Sequence, residues 1–181
     1  MTPNPSDAEK KARRDAVERI RLLYTIAWPS REGSIAKGYD RKLMRDLRVV
    51  DADPATGRVT WELDVGDGYW GNMNDMCTSF ALTVISKPGY WEFLAGVSRS
   101  LNISYLKAVP IGATVRIQTQ VEQHGRTMAM VSATMESPDG GTKYATAQHH
   151  KVHVPTRPEF VKSMREWWRE REGRGDRGVK L

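Results

Sequence analysis

Asn72-Met73-Asn74-Asp75-Met76-Cys77-Thr78-Ser79-Phe80-Ala81-Leu82-Thr83-Val84-Ile85 decides the architecture. Met73, Met76, Cys77, Phe80, Ala81, Leu82, Val84 and Ile85 place small or apolar side chains nearly all round a short helix. A helix that is apolar on most sides is a buried helix. Gly66-Asp67-Gly68-Tyr69-Trp70-Gly71 reads as the loop before it, and Lys87-Pro88-Gly89 ends it. The flanking sequence is strand-rich, and one buried helix among strands requires a sheet that curls around it.

Upstream, residues 45–65 read as a hairpin. Leu47, Val49 and the series Val59, Trp61, Leu63, Val65 alternate as strands do, and Asp53-Pro54-Ala55-Thr56-Gly57 supplies the turn. Pro5 to Trp28 reads as an amphipathic helix. Ser6 is its N-cap, with Glu9 as capping-box partner, and Val17, Ile20, Leu23 and Tyr24 share one face. Docking on the domain is the expected use of that face, and Pro29 stops the helix.

Downstream, four strands are expected: Gly96 to Lys107, Ala113 to His124, Thr127 to Glu136 and Thr142 to Val154. In the second, Val115, Ile117, Thr119 and Val121 share a face; in the third, Met128, Met130, Ser132 and Thr134 do. The links Val109-Pro110-Ile111-Gly112, Gly125-Arg126 and Pro138-Asp139-Gly140-Gly141 are short, which predicts an antiparallel meander. Pro158 to Glu172 reads as a terminal helix whose Trp167-Trp168 docks on the body or on another subunit. The expected fold class is α+β, with a domain over 41–156, an N-terminal helical extension over 1–40, and a helix and tail over 157–181.

The chain has 181 residues, 39% hydrophobic and 28% charged, which suffices for one real core. One cysteine, Cys77, forms no internal disulfide, so nothing asks for an oxidising compartment. No apolar run reaches the length of a membrane span. Acids interleaved with Lys10, Lys11, Arg13 and Arg14 argue against a mitochondrial presequence, so a cytoplasmic location is expected. The net charge of +6 suits either a polyanion such as nucleic acid or a phosphorylated small molecule. The excess is spread out and not interleaved with stacking aromatics, so the small molecule is favoured and no nucleic-acid partner is expected.

The order hairpin, buried helix, strands carries a resemblance. The strings are Asp75-Met76-Cys77-Thr78-Ser79-Phe80-Ala81-Leu82, Gly96-Val97-Ser98-Arg99-Ser100-Leu101-Asn102-Ile103-Ser104-Tyr105-Leu106, Ala108-Val109-Pro110-Ile111-Gly112, and Gly125-Arg126. Together, over roughly residues 45 to 154, they resemble the phenylacetate-pathway (PaaI-like) branch of the hotdog acyl-CoA thioesterases. The resemblance implies a hotdog fold and thioester hydrolysis without a cofactor. It also implies a homodimer or homotetramer with sites at subunit interfaces.

It further implies roles. Asp75 matches the acid that serves as base or nucleophile, and Ser98 the hydroxyl that helps place the water. A His-Gly-Gly motif that opens the family's helix has no counterpart. Either Gly66-Asp67-Gly68 replaces it, or Gly71-Asn72-Met73 matches the residues just before it, with about two helical turns deleted. The second alignment is preferred, because Gly68-Tyr69-Trp70-Gly71 reads as loop.

An oxyanion needs donors. Gly68 and Gly71 offer backbone amides and Asn72 a side-chain donor, although a plain turn also accounts for the glycines. Asp75 has a competing use as a helix-start cap, where free amides hold it as an anion and weaken it as a base. Ser98 and Ser100, two apart on a strand, are expected on one face, and Asn102 continues that row as a substrate contact. Gly125 and Arg126 fit the nucleotide end of CoA, since an arginine fork suits phosphate. Lys107, His149, His150 and Lys151 extend that positive surface, while His149 and His150 point to opposite faces. His124, His149, His150 and His153 lack a compact ligand spacing, so no metal is expected. The leading expectation is a hydrolase of acyl-CoA or carrier-bound acyl thioesters. The alternative is a degenerate hotdog protein that binds an acyl or polyketide-like ligand or acts as a dimeric structural module.

Overall fold

The computed structural model describes residues 5–27, 43, 45–66, 73–87, 89–92 and 96–155, with single positions at 162 and 166. The expectations for Gly68, Gly71, Asn72, the Tyr24 side chain, the 158–172 helix with Trp167-Trp168, and the tail lie outside them.

Helix α1 runs Asp7–Ala27. Its start is the expected capping box: Ser6 N donates to Glu9 Oε2 at 2.6 Å, and Glu9 N donates to Ser6 Oγ at 3.3 Å. The hairpin is β1 (Arg48–Asp53) and β2 (Arg58–Asp64). Val59, Trp61, Leu63 and Val65 are all buried, as the alternation predicts. Ala16, Ile20 and Leu23 of α1 are buried in the same core. Arg13 spans from α1 to Asp51 (2.6 Å) and Asp53 (2.7 Å) on β1.

The central helix is α2, Met73–Ala81, continued by a 3₁₀ turn at Leu82–Ile85. It is buried nearly all round; only Asp75, Ser79 and Ile85 are half-buried. Arg19 of α1 donates to the carbonyls of Thr83 and Ser86, satisfying the helix end.

The last four strands are β3 (Val97–Tyr105), β4 (Thr114–His124), β5 (Met128–Glu136) and β6 (Lys143–Val152). The described residues build one six-stranded antiparallel sheet in the order β1-β2-β4-β5-β6-β3. Helix α2 packs on β2, β4, β5 and β6, so the sheet wraps it. This is the hotdog arrangement that the resemblance implies.

One expectation is corrected. The four later strands are not a simple meander, because β3 pairs with β6 rather than β4. The link around Val109-Pro110-Ile111-Gly112 is a crossing and not a hairpin turn. Leu106 N bonds Tyr144 O at the start of β6, and Gly112 N bonds Val65 O just past β2. The chain thus traverses the end of the sheet, and β3 becomes its far edge. Tight two- to five-residue loops force neighbours to pair; a longer link does not.

Candidate active site

Strand β6 carries Ala145, Ala147, His149 and Lys151 on its buried row. His149 is fully buried and stands against α2. Its Nδ1 lies 2.7 Å from Thr78 Oγ1, and its Nε2 lies 2.8 Å from Ser98 Oγ on β3. Thr78 directs its one hydroxyl proton to the Asn74 carbonyl, one turn back. The Thr78 oxygen therefore accepts from Nδ1–H, Nε2 keeps its lone pair, and Ser98 donates to it. Burial, aided by the positive charge of Lys151 and His150, pushes His149 down to about 4, so the ring is neutral near pH 7.

Asp75 sits one turn before Thr78 and Ser79 on the same side of α2. Its Oδ1 is 3.6 Å from His149 Nε2, beyond hydrogen-bond reach, and accepts no hydrogen bond among the described residues. A buried, unsatisfied carboxylate oxygen costs stability and is poised to accept a proton donor. Lys151 Nζ donates to Ser79 Oγ at 2.9 Å. Burial lowers the proton affinity of Lys151, and the nearby Asp75 charge partly restores it. Asp75, Thr78 and Ser79 of α2, Ser98 of β3, and His149 and Lys151 of β6 thus form one cluster.

Asp75 and Ser98 both approach His149, a residue that the sequence reading assigned only to the surface. His149 and Lys151 are buried at the centre of the cluster, a correction to the surface reading. The signal was present in the sequence: two polar residues continue the buried alternation of Ala145 and Ala147.

A second correction concerns Ser98 and Ser100, which do not share a face. The register shifts between them, with Ser98 opposite Lys151 and Ser100 opposite His150. The bulge turns Ser98 inward to His149, whereas Ser100 Oγ meets His150 Nδ1 at 3.1 Å on the outer row. Asn102, exposed opposite Gln148, follows Ser100 outward, so neither belongs to the Asp75 cluster. Gly96 fixes the entry to β3. Its φ is +73°, and a Cβ there would lie 2.1 Å from the Val152 carbonyl oxygen.

The Gly125-Arg126 turn joins β4 to β5 at the end of the sheet where β6 finishes: His153 N bonds Thr127 O there. Gly125 O accepts from Trp91 Nε1 at 2.7 Å and from the Tyr90 hydroxyl at 3.2 Å, which pins the turn and leaves Arg126 exposed. Sequence reasoning did not find this pair of anchors. Among the described residues, no three His, Cys, Asp or Glu side chains group as metal ligands.

Comparison with known proteins agrees with this fold. The family model described as Thioesterase superfamily matches residues 73–144, from the start of α2 into β6. Thioesterase superfamily member 2 of zebra fish superposes with a TM-score of 0.58 at 24% identity, covering 75% of this chain and 96% of that one. The Escherichia coli PaaI protein of the phenylacetic acid degradation operon gives 0.56 at 12%, covering 78% and 95%. A hypothetical thioesterase from Streptococcus pneumoniae, solved with coenzyme A, gives 0.50 at 17%, covering 62% and 89%. No curated protein sequence matches the chain. The chain therefore has the hotdog fold, and its residues 73–144, from the central helix into the last strand, match the thioesterase superfamily model.

Proposed function

We propose that the protein hydrolyses an acyl-CoA or carrier-bound acyl thioester to a free acid and a thiol. The observation that carries this reading is the unsatisfied Asp75 Oδ1 lying 3.6 Å from Nε2 of neutral His149, which Ser98 Oγ meets at 2.8 Å. Ser98 gives its proton to Nε2, so its oxygen lone pairs face outward as acceptors. A water that donates one hydrogen to Asp75 and the other to Ser98 has its own lone pair free for the thioester carbonyl carbon. Asp75 then takes the proton as the C–O bond forms, the C–S bond breaks, and the thiolate leaves. In this reading Gly71, Asn72 and Gly68 supply the oxyanion donors. Exposed Arg126, with Gly125, meets the phosphates of CoA, the ligand of the streptococcal neighbour.

The reading includes a homodimer or higher homo-oligomer. Strand β3 ends the sheet, is exposed over most of its length, and carries Val97 (51% exposed) and Tyr105 (70%). An edge of this kind invites pairing with a second copy. It also includes a cytoplasmic location, supported by the buried, unpaired Cys77; among the described residues no helix is long and apolar enough to cross a membrane.

One observation favours the alternative of a binding or structural hotdog without turnover. Asp75 lies in the first turn of Met73–Ala81, where an acid also has a purely structural use as partner of the helix-end charge. Thiol release from acyl-CoAs by pure protein decides for hydrolysis. Thermal stabilisation by ligand without thiol release decides for the alternative.

A further inference from the structure

Trp91 is buried, and its backbone stands in the left-handed region with a φ of +47°. It is the one residue other than glycine with a positive φ among the described residues. A bulky side chain is strained there, and such strain persists only where the surroundings hold it. Here they do. Lys87 and Tyr90 exchange backbone hydrogen bonds at 3.0 and 2.8 Å, and Glu92 Oε1 accepts from Gly89 N at 2.8 Å. The indole lies edge-on to the His153 ring, with centroids 5.4 Å apart.

The outcome is a grip on one carbonyl. Trp91 Nε1 donates to Gly125 O at 2.7 Å, and the Tyr90 hydroxyl donates to the same oxygen at 3.2 Å. His124 Nδ1 stands against the Tyr90 oxygen; with its N–H there, the Tyr90 proton is free for the carbonyl. Gly125 N closes the turn on Met128 O at 2.8 Å. A buried indole N–H needs an acceptor, and any carbonyl would serve. That need alone requires neither a strained backbone nor a second donor on the same oxygen.

The grip has a consequence for Arg126. Peptide units are planar and none is cis among the described residues, so the Gly125 C=O and the Arg126 N–H point in opposite directions. With the carbonyl held by Trp91, the Arg126 N–H is turned away from the indole. It donates to no group among the described residues, and the Arg126 side chain is exposed. Amide and guanidinium are donors only, and as a pair they suit a phosphate. Arg99 Nη1 rests on Met128 Sδ at 3.0 Å, two residues beyond Arg126, and a thioether leaves its charge unneutralised.

We propose that Trp91, assisted by Tyr90, is a positioning residue for the nucleotide end of the substrate: its indole N–H turns the Gly125–Arg126 peptide so that the Arg126 amide and guanidinium together meet a phosphate of CoA. The role rests on the reading that this turn meets the phosphates of CoA.

The experiment is calorimetric titration of the full chain with coenzyme A and with pantetheine, which lacks the nucleotide and every phosphate. The variants are Trp91→Phe, Tyr90→Phe, Arg126→Ala and the double variant of Trp91→Phe with Arg126→Ala, and melting temperatures confirm folding. The readout is the preference, the Kd for pantetheine divided by the Kd for CoA. Wild type should prefer CoA. Trp91→Phe keeps a ring without its N–H and should lower the preference roughly three- to tenfold, with a smaller fall in Tyr90→Phe. Arg126→Ala should lower it too, and Trp91→Phe should then take less from it than from wild type, because both act on one contact. A tryptophan that only fills the core would weaken both ligands alike, or neither, and leave the preference unmoved. An unmoved preference in Trp91→Phe, or an equal fall with and without the Arg126 side chain, overturns the proposal. So does a wild type that binds CoA no more tightly than pantetheine. If Trp91→Phe does not fold, Tyr90→Phe decides by the same readout. Thiol release is measured apart from binding: a wild type that cleaves no acyl-CoA contradicts hydrolysis, and the preference still decides the role of Trp91.

Discussion

Thr78 on the central helix and His149 on the last strand meet at 2.7 Å, and that contact fixes which nitrogen of a buried imidazole carries the proton. With Nδ1–H given to Thr78, Nε2 is the only acceptor left for Ser98. Thr78→Val removes the oxygen and leaves a buried N–H unsatisfied. The expected cost is about 1–3 kcal/mol of stability, seen in chemical denaturation. A variant as stable as wild type would show that the contact does not order the ring.

Ser98→Ala tests the other nitrogen. It leaves Nε2 of the buried ring without its donor, so a stability loss of about 1–3 kcal/mol is expected here too. Turnover should fall roughly a hundredfold through misplacement of the attacking water. Ser100→Ala, on the outer row beside His150, should leave turnover near wild type. Equal losses in the two variants would contradict the assignment made from the bulge.

Acid should weaken the fold through His149. Unfolded, the ring takes up a proton near its ordinary value of 6.5; folded, burial delays uptake until about 4. Between those values the unfolded chain binds more protons, so stability falls as pH drops from 6.5 to 4 and levels off below. The expected contribution is roughly 3 kcal/mol. Denaturation midpoints across this window should slope for wild type and flatten for His149→Gln. Equal slopes would place the acid lability elsewhere.

Gly96→Ala should disturb both fold and site. A φ of +73° strains any other residue, and the new Cβ would strike the Val152 carbonyl. The strain alone costs about 1–3 kcal/mol. The same displacement moves Ser98, two residues on, away from His149. A lowered melting temperature with lowered turnover is expected; wild-type values of both would contradict the close approach.

The buried helix and the paired hairpin were legible because local patterns encode them. The all-round apolarity of residues 73–85 and the alternation from Val59 to Val65 depend on burial alone. The partner of β3 was not legible. Strand alternation says which face is inward but not which strand lies alongside, and the 106–113 crossing looked like a turn. Asp75 and Ser98 came from the family resemblance. His149 and Lys151 were seen as charges rather than as members of a buried row, because a polar residue on an apolar row breaks the pattern by which rows are recognised. The bulge that turns Ser98 inward has no sequence signature at Arg99.

The most direct measurement is thiol release from a panel of short, long and aryl acyl-CoAs by wild type and Asp75→Asn. The account predicts turnover by wild type that is lost in the variant, whose fold and melting temperature are retained. Turnover that survives in Asp75→Asn would contradict the assignment of the carboxylate. A folded wild type that releases no thiol from any member would contradict hydrolysis itself.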